Sequence, residues 1–178
     1  MSNKRLFAAI FVLASLVSGC ATHMPNNVEG DAGLGRTRPI IVENFDFNPK
    51  GAVDVSADSI EKLNLELSEN VVSELKKMGL PAKLADKSAP AQDAYVLKGR
   101  ILQVNGGSTA LRIWIGFGAG STTVTVRGEV LDAKTGAQVR NFTLTRQSNW
   151  TYSNNEAAVR ENIGELASDI AALFKPAD

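Results

Sequence analysis

Two stretches of this chain repeat apolar residues at helical spacing, and the stretches between them alternate at the period of a strand. From Asp58 to Met78, the residues Ile60, Leu63, Leu67, Val71, Leu75 and Met78 recur every three or four positions, which aligns them on one side of a helix. Asp58, with Glu61 three residues on, resembles a capping box. Gly79 suits the position just past the end, and Pro81 prevents continuation. Glu61, Glu66 and Glu69 come early and Lys76 and Lys77 late, in the order a helix dipole favours. A second helix is predicted to run to about Phe174 on Val159, Ile163, Leu166, Ile170 and Leu173, with Ser153 and Glu156 as its capping box.

Strand patterns fill the rest. Arg38 to Phe47 reads as one strand, and Lys83 to Ala85 as a short one. In Tyr95 to Val104, the alternation puts Val96, Leu102 and Val104 on one face and Tyr95, Leu97 and Ile101 on the other. Ala110 to Phe117 reads as a further strand. Thr122 to Leu131 points Val124, Val126 and Val130 one way and Thr123, Thr125, Arg127 and Glu129 the other. Asp132-Ala133-Lys134-Thr135-Gly136 is a hairpin connection with Gly136 in the left-handed conformation, leading into Val139 to Gln147. No strand–helix alternation continues after residue 95, so a doubly wound sheet is not expected. The predicted fold is α+β: a mostly antiparallel sheet with two amphipathic helices packed on one face.

The first 37 residues follow neither period. Lys4 and Arg5 precede an apolar run from Leu6 to Val17, long enough for a signal peptide and too short to span a bilayer. Val17-Ser18-Gly19-Cys20 then resembles a lipobox. That resemblance implies removal of residues 1–19 as a signal peptide and acylation of Cys20, the only cysteine. One acyl chain binds a membrane marginally, whereas two or more hold it stably. Ala21 follows the cysteine. By resemblance to sorted lipoproteins of Gram-negative bacteria, its presence in place of Asp implies the periplasmic face of the outer membrane. Pro25, Asn26, Asn27, Gly30, Gly33 and Gly35 make residues 20–37 read as a lipidated tether. A single domain is expected at 38–178.

Charge and chemistry narrow the function. The chain carries 19 basic and 19 acidic side chains; losing Lys4 and Arg5 leaves 17 basic and a net charge near −2. That balance provides no basic footprint for nucleic acid. His23, the only histidine, falls in the tether. A Ser-His-Asp triad, a Cys-His pair and a zinc set are therefore out of reach within the domain. Glu43, Asp46, Asp93, Glu129 and Asp132 are scattered along the sequence with no pair marked out. The run Gly116-Phe117-Gly118-Ala119-Gly120-Ser121 lacks the Lys-Ser/Thr of a P-loop and opens into a strand, so no helix N-terminus awaits a phosphate. No cofactor and no metal are expected.

The segment before and through those glycines is the candidate interaction site: Arg112, Trp114, Gly116, Phe117, Gly118 and Gly120. Leu111 to Phe117 is apolar on both faces apart from Arg112. It is either a central strand covered on both sides or an exposed hairpin meeting a partner or the membrane. Alternate glycines leave one strand face bare, and Trp and Arg are enriched at binding hot spots.

Gly99-Arg100-Ile101, the Gly116 to Ser121 run and Gly128-Glu129-Val130-Leu131-Asp132-Ala133-Lys134-Thr135-Gly136 together resemble the bacterial lipoprotein family called domain of unknown function 4410, over roughly residues 38 to 175. The layout is more loosely similar to penicillin-binding-protein activator lipoproteins and to the curli secretion lipoprotein, which work by contact. These resemblances imply a fold and an envelope location rather than a chemistry. The expectation is a non-catalytic interaction module for an envelope protein or polymer, anchored to the outer membrane by lipid on Cys20. Its partner is an envelope protein or a second copy of itself. One alternative is a subunit of a membrane-associated secretion or export assembly, and another is an envelope hydrolase using Lys, Tyr or paired acids.

Overall fold

The structure, a computed structural model, describes residues 26–30, 34, 37–47, 57–86, 92–105, 122–148 and 155–175. In chain order these form β1 (Asn27–Gly30), β2 (Ile40–Val42), β3 (Asp46–Phe47), α1 (Ala57–Lys77), β4 (Ala82–Leu84), β5 (Tyr95–Asn105), β6 (Thr122–Asp132), β7 (Gln138–Ser148) and α2 (Asn155–Ala172). The strands make one seven-stranded sheet in the order β1-β7-β6-β5-β2-β4, with β3 pairing β5 off that path. The long strands β5, β6 and β7 and the edge strand β1 run antiparallel, while β2, β3 and β4 pair in parallel. Both helices pack on one face, and the fold is the expected α+β arrangement.

The helix stripes become the core. Leu67, Val71 and Leu75 of α1 and Ile163, Leu166 and Ile170 of α2 are fully buried against Leu97, Ile101, Val124, Val126 and Val130 of the sheet. Each such side chain contributes about 1.5–3 kcal/mol by leaving water. Arg160 Nη1 of α2 reaches Glu66 Oε2 of α1 at 2.8 Å, joining the helices at their exposed edge. The end of α1 is a Schellman motif: Leu80 N donates to Leu75 O at 3.0 Å and Gly79 N to Lys76 O at 2.9 Å, with Gly79 at φ 76°. Leu80 and Leu75 are both buried, the apolar contact that accompanies this cap. The helix begins at Ala57, so Asp58 lies inside its first turn instead of preceding it. Ser153 lies outside the described residues.

Three expectations are corrected. First, Arg38 to Phe47 is not one strand. Residues 43–45 leave the ladder and swing Phe45 over Gly99, where an added Cβ would lie 2.5 Å from the ring Cδ1. The amide this excursion frees is not orphaned, because Phe45 N donates to Ser68 Oγ of α1 at 3.0 Å. Second, the faces of β5 are not constant. A bulge between Ile101 and Gln103 shifts the register, and one extra residue flips the alternation. Val104 therefore joins Leu97 and Ile101 in the core, opposite Val124. Third, residues 20–37 are not all tether. Asn27 to Gly30 pairs with Arg140 to Thr143 as an edge strand, and Leu34 is buried in the core. All four β1 residues are exposed, so main-chain bonding to an otherwise bare edge forms this strand, and a hydrophobic pattern carries no trace of it.

Candidate functional site

Among the described residues, the face of the sheet opposite the helices is open and polar. A cleft of about 700 Å³ lies on it, bounded on one side by Glu43, Asn44 and Asp46 and floored by Lys98, Arg100, Leu102, Arg127, Glu129 and Asn141. Strand alternation puts them there: Val126 and Val130 point to the helices, so Arg127 and Glu129 point away. The same holds on β5 for Lys98 and Arg100, between buried Leu97 and buried Ile101. The bend at 43–45 brings Glu43 and Asp46 over the edge of β5. Carboxylates that look scattered in sequence are thus sorted in space: Glu43, Asp46 and Glu129 line the cleft, and Asp93 and Asp132 lie elsewhere.

Register decides the electrostatics of this face. Lys98 stands opposite Glu129, and Lys98 Nζ lies 3.3 Å from Glu43 Oε1. Asp46 aligns with Arg100 across β3 and β5. Further along, Thr125 and Thr145 share a hydroxyl hydrogen bond at 3.1 Å. Arg100, however, stands directly opposite Arg127. Both are exposed, and among the described residues neither makes an ion pair or a side-chain hydrogen bond. Strand alternation makes their outward direction legible in the sequence, whereas their juxtaposition follows only from the pairing register.

Asp93 and Asp132 lie at the far end of the sheet, on Arg38. The guanidinium donates from Nη1 to Asp132 Oδ2 at 2.8 Å and from Nη2 to Ala94 O at 3.0 Å, and it lies 4.1 Å over the ring of Tyr95. Its Nε is 3.0 Å from Asp93 Oδ1. Asp132 also accepts from the backbone N–H groups of Lys134 and Thr135, each at 2.9 Å. The Thr135 amide and then Arg38 hold its carboxyl at about 2; Asp132 in turn raises Arg38. Across the sheet, Asp169 binds Arg146 through two hydrogen bonds of 2.5 Å and raises its pKa. These charges are committed to holding strands and helix together, which leaves the cleft as the place where polar groups remain available. Among the described residues no three His, Cys, Asp or Glu side chains are grouped to hold a metal.

Cys20, Ala21, Arg112, Trp114, Gly116, Phe117, Gly118 and Gly120 lie outside the described residues. The topology does fix where the chain enters and leaves those segments. Asn105 pairs with Thr123 and Thr122 with Ser148, so the β5–β6 connection and the exit from β7 share one end of the sheet. β1 pairs Asn27 with Thr143 and Gly30 with Arg140. Asn26, just before β1, therefore lies toward that same end, and its Oδ1 accepts from Thr145 N at 3.2 Å.

The family described as domain of unknown function, DUF4410, matches residues 40–151. The chain belongs to the DUF4410 family. The DUF4410 match spans β2 through β7, and with them the whole floor of the cleft, and it stops short of α2. Among solved structures, the PelC dodecamer from Paraburkholderia phytofirmans is similar at 20% identity and a TM-score of 0.57, over 82% of this chain and 97% of that one. Protein XCC0632 from Xanthomonas campestris, of family DUF330, is similar at 12% identity and a TM-score of 0.50, over 80% and 89% of the two chains. At these identities the likeness is one of fold. No curated protein gives a match.

Proposed function

We propose that this DUF4410 protein is a lipid-anchored, non-catalytic interaction module of the bacterial envelope, held at the periplasmic face of the outer membrane through acylated Cys20. Its contact surface centres on Arg112, Trp114, Gly116, Phe117, Gly118 and Gly120. The observation that carries this reading is the convergence at one end of the sheet. Asn26 and the start of β1 lie toward the end where Asn105 and Thr122 bracket the apolar, glycine-rich segment. Five residues separate Cys20 from Asn26, a reach of at most about 22 Å when fully extended. A lipid on Cys20 would therefore orient that end toward the bilayer and present the segment to whatever lies there.

A second reading, self-association into an assembly at the membrane, draws on the likeness to a dodecamer. Two measurements test both. Cys20→Ser should leave the protein unprocessed or in the soluble fraction; a mature protein still in the outer-membrane fraction would overturn the anchor. Trp114→Ala and Phe117→Ala should abolish cellular function while keeping the melting temperature. Loss of stability in both, with function following protein level, would return the segment to ordinary core. Mass measured in detergent separates a monomeric module from a subunit of a larger assembly.

A further inference from the structure

The open face is charge-complementary except at one place. Lys98 faces Glu129 across β5 and β6 and is reached by Glu43 at 3.3 Å; Asp46 aligns with Arg100. Two residues along from the Lys98–Glu129 pair, Arg100 and Arg127 are set directly against each other. Residues opposed in this way have Cα atoms roughly 4.5–5.5 Å apart, and like charges placed so destabilise a sheet. Neither arginine is relieved by an ion pair among the described residues, although Glu129 and Asp46 stand beside them. The pair also sits inside the cleft, not on an open flank. Asp46 and Asn44 border one side, Thr143 follows Arg127 in the same cross-strand row, and the volume of about 700 Å³ exceeds what a lone ion needs.

We infer that Arg100 and Arg127 form a clamp for an oxyanion, the carboxylate or phosphate group of a larger polar ligand lying along the open sheet face. Guanidinium is the cation suited to this. Its planar fork of donors matches a carboxylate or phosphate through two parallel hydrogen bonds, and two forks side by side converge on one anion. Lys98, paired with Glu43 and facing Glu129 across the strands, is not part of the clamp. The anion removes the repulsion that the empty pair carries, so binding and folding stability are linked. The clamp is argued from Arg100 and Arg127 alone, and its test does not depend on the Leu111 to Ser121 segment.

The test uses the full-length protein in detergent at low ionic strength, titrated by calorimetry with inorganic phosphate and, separately, with trigalacturonate as a carboxylate-bearing saccharide. Saturable one-to-one binding of either probe is expected. Arg100→Gln and Arg127→Gln should each weaken it at least tenfold, while Lys98→Gln should change it less than threefold. Binding of phosphate alone assigns a phosphoryl ligand, and binding of the uronate alone a carboxylate ligand. Without ligand, both arginine variants should melt at or above the temperature of the parent, because a like-charge contact has been removed. Absence of saturable binding to both probes overturns the clamp. So does equal weakening by Lys98→Gln, which would mark a diffuse charge effect, and so does a clear fall in melting temperature for both arginine variants, which would mark a structural role.

Discussion

Gly128 lies in the middle of β6 opposite Gly99, and the bare surface of the two glycines is filled by two phenylalanine rings. Phe45 covers Gly99 and Phe142 covers Gly128. A methyl group at Gly128 would overlap Phe142 Cζ and stand 2.8 Å from Lys98 O. Phe142 is 1% exposed, so its ring has no free volume into which to swing, and Lys98 O belongs to the β5 ladder. Gly128→Ala should therefore act as overpacking of a tight core, which costs about 1–3 kcal/mol. The backbone contact places it toward the upper half of that range, and about 2–3 kcal/mol corresponds to a melting temperature lowered by roughly 4–12 °C for a domain of this size. Ala would otherwise be favoured over Gly in a strand by roughly 0.5–1 kcal/mol, so the sign of the change separates packing from propensity. The assay is a double-mutant cycle by thermal or urea unfolding with Phe142→Leu, which shortens the overlapping ring. Gly128→Ala should be less harmful in the Phe142→Leu background by about 0.5–3 kcal/mol, the usual coupling of touching residues. Strict additivity, or a stabilising Gly128→Ala, would refute the argument that Phe142 is why position 128 is glycine.

Leu67→Ala should destabilise by about 2–5 kcal/mol, since Leu67 is completely buried between α1 and the sheet; an unchanged unfolding midpoint would contradict that packing. Gly136 has φ 70° and open space where a Cβ would go, so only backbone conformation distinguishes its substitutions. Gly136→Asn should therefore melt above Gly136→Val, and equal midpoints would deny the turn its positive φ. Asp132 titrates at about 2 when folded, below its ordinary 3.8, so the unfolded chain binds the proton first as pH falls. Its contribution is complete above about 4 and is lost as pH drops toward 2. The difference in melting temperature between the parent and Asp132→Asn should narrow across that window, and a difference independent of pH would assign the effect of the substitution to something other than charge.

What was legible in the sequence was whatever rests on period. The α1 and α2 stripes and the Val124-Val126-Val130 face emerge where the spacing puts them, and Gly79 and Gly136 take the positive φ that their turns require. The features that escaped are those in which a main-chain or register event overrides the period. β1 has four exposed residues and exists through ladder bonds to β7. The bend at 43–45 is held by one hydroxyl from a helix more than twenty residues away. The β5 bulge reverses a face with no Gly or Pro at Leu102 to announce it. The cleft residues belong to this second kind: each outward direction follows from alternation, whereas Arg100 meeting Arg127 depends on the register between strands.

The bend and the cleft have one origin. Had residues 38–47 continued as a single strand along β5, Glu43 and Asp46 would lie flat in the sheet, and the open face would be a featureless polar surface. The chain bends because Phe45 finds a pocket over Gly99, and because Ser68 Oγ accepts from Phe45 N in place of the lost ladder bond while donating its own hydrogen bond to Asn64 O at 2.8 Å. The same two glycines that admit Phe45 and Phe142 on the helix side also line the floor of the cleft on the other. A packing requirement on the buried face thus raises a wall of carboxylates along the exposed one and leaves the arginine pair between that wall and β7. Phe45→Ala should therefore act at both faces. It should lower the melting temperature through the vacated pocket, and it should loosen Asp46 from its place beside Arg100 and so change oxyanion binding at Arg100 and Arg127 without touching either arginine.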